Sequence, residues 1–145
     1  MAKLPEPATN MVFPTGTYLV KIQSFERTTA KTGTQQIRWK AEIVEPKEHV
    51  GRIIVEHTAL TEKAMWKVAN LIGACGVTFQ PNVDSDSGYF TGLCGATIGR
   101  KSYWRVEEAV DNKGNPCNEI VRFEIDTTQD PTKFEGESEP EWLDK

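Results

Sequence analysis

Between Gln35 and Val44 the chain alternates apolar and polar residues without a break. Ile37, Trp39, Ala41 and Ile43 fall on one parity, and Gln36, Arg38, Lys40 and Glu42 on the other. A period of two marks a strand with one face buried and one face wet. Slipping such a strand by one residue would turn its whole apolar set into water, so its register is strongly specified. Pro46 then closes the strand, since proline cannot donate to a ladder. A chain with this segment is committed to a sheet with a core on one side.

Other segments repeat the signal. Tyr18, Val20 and Ile22 alternate with Leu19, Lys21 and Gln23 in a strand from Gly16 to Phe25. The polar stretch Glu26 to Thr34 reads as a connecting loop carrying Arg27 and Lys31. A β-branched run, Arg52 to Thr58, follows Gly51 as a third strand. Thr61 then suits a helix N-cap, with Glu62 near the positive end of the dipole. Ala64, Met65, Val68, Ala69, Leu71, Ile72 and Cys75 recur on one side of a helix of about four turns. Gly76 stands where a C-terminal glycine is expected. Residues 77–93, with Pro81, Asp84, Asp86 and Gly88, read as a long loop. A fourth strand runs from Ala96 to Glu107, with Ile98, Arg100, Ser102, Trp104 and Val106 against Gly99, Lys101, Tyr103 and Arg105. A turn at Asp111 to Pro116 leads to a fifth strand, Glu119 to Asp126. Its expected inward set is Val121, Phe123 and Ile125, with Arg122 and Glu124 outward. Five strands with one helix between the third and fourth predict a mainly β fold. The order is that of the OB-fold, a five-stranded Greek-key barrel.

Charge sets the boundaries. The 145 residues carry a formal net charge of -4. That acidity argues against a nucleic-acid binder, whose domain is expected to be basic. It is not evenly spread. From Thr127 onward stand Asp130, Glu135, Glu137, Glu139, Glu141 and Asp144 against only Lys133 and Lys145. The whole excess of acid is therefore C-terminal, and the body is neutral. Three parts are expected: an irregular lead-in over 1–15 with Pro5, Pro7 and Pro14, a domain over 16–126, and a flexible acidic tail over 127–145.

Several chemistries are disfavoured. Cys75, Cys94 and Cys117 are odd in number and widely spaced, which fits free thiols in a reducing, cytoplasmic compartment. His49 and His57 do not pair with them at zinc-ligand spacing. No nucleophile–base constellation is readable, so no enzyme and no cofactor are expected. Asp84-Ser85-Asp86-Ser87-Gly88 looks like a fragment of a calcium loop but lacks the spaced glutamate. A metal-dependent nuclease built on Asp84, Asp86 and Asp111 ranks last for that reason. No apolar run is long enough to span a membrane, and the first seven residues show no signal-peptide core.

A single nucleic-acid strand presents phosphates and open base faces, so its binder needs cations along a groove and aromatic platforms. Arg38 and Lys40 share the wet face of the second strand. Lys101, Tyr103 and Arg105 share one face of the fourth. Lys21 and Arg52 lie on neighbouring strands, and Arg27, Lys31 and Lys113 on loops. Tyr103 is the preferred stacking residue. Trp39 and Trp104 are further candidates, although their parity leans towards the core.

The sequence resembles the phage-type OB-fold single-stranded DNA-binding proteins. The matching features are Gly16-Thr17-Tyr18-Leu19-Val20-Lys21-Ile22, Thr32-Gly33 followed by Ile37-Arg38-Trp39-Lys40, and Gly51-Arg52-Ile53-Ile54. Ala64-Met65-Trp66-Lys67, Leu93-Cys94-Gly95 and the acidic tail complete the series. The resemblance implies sequence-independent binding of single-stranded DNA in phage replication or recombination, in the host cytoplasm, without catalysis. A homo-oligomer is compatible with it. The tail departs from the Asp-Phe or Pro-Phe terminus of many bacterial relatives. It carries Glu139, Glu141, Trp142, Leu143 and Asp144, an acidic segment with an aromatic anchor suited to a replication or recombination partner. An alternative is an OB-type interaction module that recruits such partners. The tail is also expected to occupy the basic groove when DNA is absent.

Overall fold

The computed structural model describes residues 12–135. The tail residues Glu139, Glu141, Trp142, Leu143 and Asp144 lie outside that range, as does the lead-in before Val12. Five strands form one antiparallel sheet: β1 (Gly16–Thr29), β2 (Gln35–Glu45), β3 (Ile53–Ala59), β5 (Lys101–Val110) and β6 (Pro116–Ile125). Their order is β3-β2-β1-β5-β6. The first three are joined as neighbours, and β5 returns after a long connection to lie beside β1, which is a Greek-key path. That connection holds α1 (Met65–Ala74), β4 (Val77–Thr78) and α2 (Gly88–Ala96). A short β7 (Thr132–Lys133) pairs in parallel with β4.

The expected closed barrel is not formed. Among the described residues the edge strands β3 and β6 exchange no ladder. Helix α1 packs against both of them instead. Lys67 of α1 reaches Glu56 of β3 at 3.3 Å. The open side is thus covered by side chains rather than by backbone pairing, and the architecture is an open antiparallel sheet with two helices.

The apolar parity of each strand fills the core. Val20 and Ile22 of β1, Ile37, Trp39, Ala41 and Ile43 of β2, and Trp104 and Val106 of β5 are all buried. Val68, Leu71 and Ile72 of α1 and Phe90 and Leu93 of α2 meet them. Burial of this kind is worth roughly 1.5–3 kcal/mol for each large apolar side chain.

Several local expectations are corrected. Strand β1 does not end at Phe25. Glu26 to Thr29 pair with Arg38 to Gln35, so the loop shrinks to 30–34. Helix α1 has no side-chain cap; the Thr61 carbonyl accepts the N–H groups of Ala64 and Met65, both at 3.0 Å. It is ten residues long, shorter than expected. Residues 77–93 are not one loop, because α2 begins at Gly88 with Ser87 Oγ accepting the Phe90 N–H at 3.1 Å. The fourth strand starts at Lys101, so Ile98, 48% exposed, is not part of its inward set. In β6 the inward residues are Ile120, buried opposite Val106, and Phe123, half-buried opposite Trp104. Val121 faces out, 45% exposed; Ile125 keeps the parity of Phe123, opposite buried Ser102, but is 47% exposed at the end of the strand. For Val121 the cause is a β-bulge: the partner of Arg105 is Arg122 and that of Val106 is Ile120, which leaves Val121 unpaired and shifts the inward parity from Ile120 to Phe123.

Nor does the chain leave the body at Thr127. Arg100 is the latch. Its Nε donates to the Cys75 carbonyl at 2.9 Å, and its Nη2 donates to the Asp130 carbonyl. Gln129 donates to the same Cys75 carbonyl at 3.2 Å and to the Lys101 carbonyl at 2.8 Å. The C-terminal end of α1 is therefore capped by a cation and an amide that also hold 127–130 in place. The Gly76 carbonyl then accepts the Thr132 N–H at 2.8 Å, which starts the pairing of β7 with β4.

Candidate nucleic-acid interface

The register decides which basic residues share a surface. On the face of the sheet away from the core, Lys21 stands opposite Lys101, Leu19 opposite Tyr103, and Thr17 opposite Arg105. On the other side of β1, Lys21 faces Glu42, Ser24 faces Lys40 and Glu26 faces Arg38. Lys21, Arg38, Lys40, Lys101, Tyr103 and Arg105 are thus brought onto one surface spanning β2, β1 and β5. Each is half-buried, as expected of side chains whose stems lie along the sheet. Leu19 is buried on this same face, between the positions of Glu45 and Tyr103.

Other expected members are elsewhere. A second bulge lies in β1, where Ile22 pairs with Ala41 but Ser24 with Lys40, leaving Gln23 unpaired. Beyond it the parity of β1 flips. Phe25 turns to the core, with its ring centroid 6.1 Å from that of Trp39. Arg27 follows the same parity and leaves the basic face. Its Nη2 lies 2.8 Å from Asp86 Oδ1, and its Nη1 donates to the Ser85 carbonyl at 2.6 Å. Arg27 is a strut for the 84–87 turn. Lys31 sits at the tip of the first hairpin and Arg52 just before β3. Lys113 lies in the 111–115 turn, with its N–H donating to Asp111 Oδ1 at 2.9 Å.

Trp39 and Trp104 are corrected from stacking candidates to core residues; both are 0% exposed. Trp39 Nε1 donates to Thr58 Oγ1 at 2.9 Å inside the core. Trp104 meets Phe123 edge to face at 5.6 Å. A residue with no accessible surface cannot offer a face to a base, so Tyr103 is the aromatic left on the basic surface.

Two members were missed by reading single strands. His57 stands opposite Arg38 on β3, and Arg122 stands opposite Arg105 on β6. Partial burial holds the His57 imidazole below its usual pKa, and the Arg38 charge adds to the effect. Arg122 also pairs with Glu124 at 2.8 Å. No local signal marks either residue; both become visible only once strand pairing is known.

The potential of this face is graded. Glu26, Glu42 and Glu124 sit among the bases, and further along β5 Glu107 faces Glu119. The basic zone therefore runs from Arg38 to Arg105 and stops there. Two like-charged pairs, Lys21–Lys101 and Arg105–Arg122, lie directly across strands. Such pairs destabilise a sheet when nothing neutralises them.

The three carboxylates of the nuclease alternative are engaged locally. Asp84 Oδ1 accepts the Asp86 N–H at 2.9 Å, Asp86 pairs with Arg27, and Asp111 Oδ1 accepts the N–H groups of Lys113 and Asn115. Among the described residues no group of three or more His, Cys, Asp and Glu is placed to hold a metal ion. Also among them, no helix is long and apolar enough to cross a membrane.

Fold and surface define a class: a small antiparallel β domain with a basic, partly aromatic strand face and a helical cover over its open side. The chain belongs to the family described as Protein of unknown function (DUF669), whose model matches residues 6–133. No curated protein matches the sequence.

Proposed function

We propose that this protein binds single-stranded DNA without sequence preference, as an OB-type domain. The strand would run over the outer face of β2, β1 and β5, as a non-catalytic step of phage replication or recombination. The observation that carries the reading is the convergence of Lys21, Arg38, Lys40, Lys101 and Arg105 around Tyr103 on one sheet face. The Greek-key order and the resemblance of the sequence to phage-type single-stranded DNA-binding proteins support it further. The cations track the phosphates, and Tyr103 offers a stacking platform. A bound phosphate between Lys21 and Lys101 would relieve their repulsion, so this pair favours an anionic ligand.

The test is titration of labelled oligo-dT at two salt concentrations, with duplex as the competitor. Affinity for the single strand should exceed that for duplex. It should fall with salt at a slope of about -0.7 per phosphate neutralised. Charge reversal at Arg38 and Lys40 together should lower both affinity and slope. Equal binding of duplex and single strand would sink the reading.

A further inference from the structure

Helix α1 covers only part of the open side of the sheet. Between the first residues of β3 and the first residues of β6 lies a slot of about 680 Å³. Ile53 and Val55 stand on one side of it, and Pro116, Cys117 and Asn118 on the other. Phe13, buried, is a further wall, and no residue of α1 takes part.

Strand register gives the direction of the backbone groups here. In an antiparallel ladder, residues that bond one neighbour alternate with residues that bond the other. The Leu60 N–H donates to the Gln35 carbonyl and the Ile43 N–H to the Arg52 carbonyl, both at 2.8 Å. Even-numbered residues of β3 therefore turn their backbone groups to β2, while Ile53, Val55 and His57 turn theirs outward. The His57 N–H is met there by Glu56 Oε1 at 2.8 Å, a carboxylate that Lys67 of α1 also pairs with. That half of the edge is sealed. Among the described residues no ladder partner meets Ile53 or Val55 on the outer side. On β6 the Asp111 N–H donates to the Asn115 carbonyl at 2.9 Å, so Cys117 and Glu119 bond towards β5, and Pro116 and Asn118 face outward. Proline has no N–H, so Asn118 supplies the outward donor of this edge. Its side chain already grips one piece of backbone: Oδ1 accepts the Phe13 N–H at 2.7 Å and Nδ2 donates to the Phe13 carbonyl at 2.9 Å.

We infer that this slot binds an extended segment of another protein as an added strand between β3 and β6. Both edges run in the same direction, because each lies two antiparallel steps from β1. A single strand can therefore be antiparallel to both. The parities agree as well. Val55 is on the solvent face, opposite Lys40, and Asn118 shares the core parity of buried Ile120. One residue of the added strand bonds Val55, and the next, on the opposite face, bonds Asn118. Two facing rows of N–H and C=O groups are complementary to a peptide backbone, and this complementarity names the ligand. The occupant must have both of its own edges free, which excludes the edge strand of a second folded copy. Its core-facing residues meet Phe13 and Ile54 and should be apolar. Charge does not select it: Asp111 lines the slot, but Lys113 shares its turn and Arg52 precedes Ile53. The inference is independent of what the basic face binds.

The probe is an acetylated peptide of alternating valine and threonine, about six residues long as strands usually are. It is added to the full chain and followed by amide correlation spectra. Saturable shifts are expected at Ile53, Val55 and Asn118, with slowed hydrogen exchange at Val55 and Asn118. A control peptide carries N-methyl groups on alternate amides, which removes the donors towards one edge. It should bind about tenfold more weakly, the effect of losing one or two backbone hydrogen bonds. Equal binding of the two peptides would reveal a merely apolar cleft and overturn the proposal. So would the lack of any shift at roughly millimolar peptide, or shifts centred on Lys21 and Lys101. Val55→Pro removes the outward N–H from the protein side and should weaken binding by a similar factor; unchanged affinity would count against the added strand. The methylated peptide keeps the test intact if that variant does not fold. Deleting residues 1–11 addresses the rival occupant. Shifts at Ile53 and Val55 on that deletion, with no peptide present, would assign the slot to the chain's own lead-in and overturn the inference.

Discussion

Lys21 and Lys101 stand directly opposite each other on β1 and β5, two cations in neighbouring cross-strand positions. Glu42 faces Lys21 from the other side, so the repulsion is only partly relieved. Cross-strand like charges cost a sheet roughly 0.2–1 kcal/mol. Lys101→Gln should therefore raise the urea midpoint of the free protein slightly, and lower the salt slope of oligo-dT binding by about 0.7. A variant that loses stability and keeps the slope would show that this pair serves the fold and not a ligand.

The aromatic residues should separate cleanly. Tyr103→Ala is expected to weaken oligo-dT binding by the stacking energy of one base, ~1–3 kcal/mol, which is roughly 5- to 150-fold in Kd. Its stability should change little. Trp39→Phe should instead lower stability by about 1 kcal/mol or more, because it leaves the Thr58 hydroxyl unpaired in the core. Trp104 Nε1 has no hydrogen-bond partner among the described residues, so Trp104→Phe removes no hydrogen bond and should cost less than Trp39→Phe. Thermal melts beside binding titrations would distinguish the two roles.

His57 provides a pH signature. Its folded pKa lies below the usual 6.5, chiefly through burial and then through Arg38. As pH falls from 6.5 towards the folded value, the unfolded chain takes up the proton first, so stability contributed by His57 is lost over that window. A phosphate beside Arg38 would favour the imidazolium and draw the pKa back up. Oligo-dT affinity should therefore rise between pH 7.5 and pH 5.5, and His57→Gln should abolish that part of the rise. Identical pH responses in wild type and variant would place the phosphates away from β3.

The latch around Arg100 governs where the domain ends. A Cβ at Gly76 would lie 2.7 Å from the Arg100 guanidinium, and the Gly76 φ of +78° is one that side chains rarely adopt. Gly76→Ala should lose more than about 1 kcal/mol of stability in denaturant melts. Arg100→Ala should leave the sheet folded but expose 127–135 to limited proteolysis, since it removes the bonds to Cys75 and Asp130 together. An uncut 127–135 segment in that variant would show that Gln129 and β7 hold it without help.

The sequence alone determined the faces of the longest strands. In β2 the alternation is local, and tertiary structure buried Ile37, Trp39, Ala41 and Ile43 as the period required. The same holds for Ser102, Trp104 and Val106 of β5, and so for Lys101, Tyr103 and Arg105 opposite them. These residues were legible because a strand's period is a property of the chain itself. Where two strands must be compared, the sequence was silent. The bulges at Gln23 and Val121 arise from register against a neighbour, and each inverts the facing of the residues beyond it. They moved Phe25 and Arg27 off the basic face, turned Val121 outward, and set Arg122 beside Arg105.

Tertiary structure also decided the second helix. Gly88, Gly92 and Gly95 give α2 weak intrinsic propensity. It forms nonetheless because Ser87 caps it, Phe90 and Leu93 reach the core, and Gly92 admits the Phe134 ring. The acidic segment after Thr127 obeyed the same rule. Its charge and composition are local and could be counted, but residues 127–135 are held by Arg100, Tyr89 and the edge of β4, contacts made across the fold. Periodicity and charge belong to the chain; register, closure and latching belong to pairs of distant segments, and only their meeting fixes them.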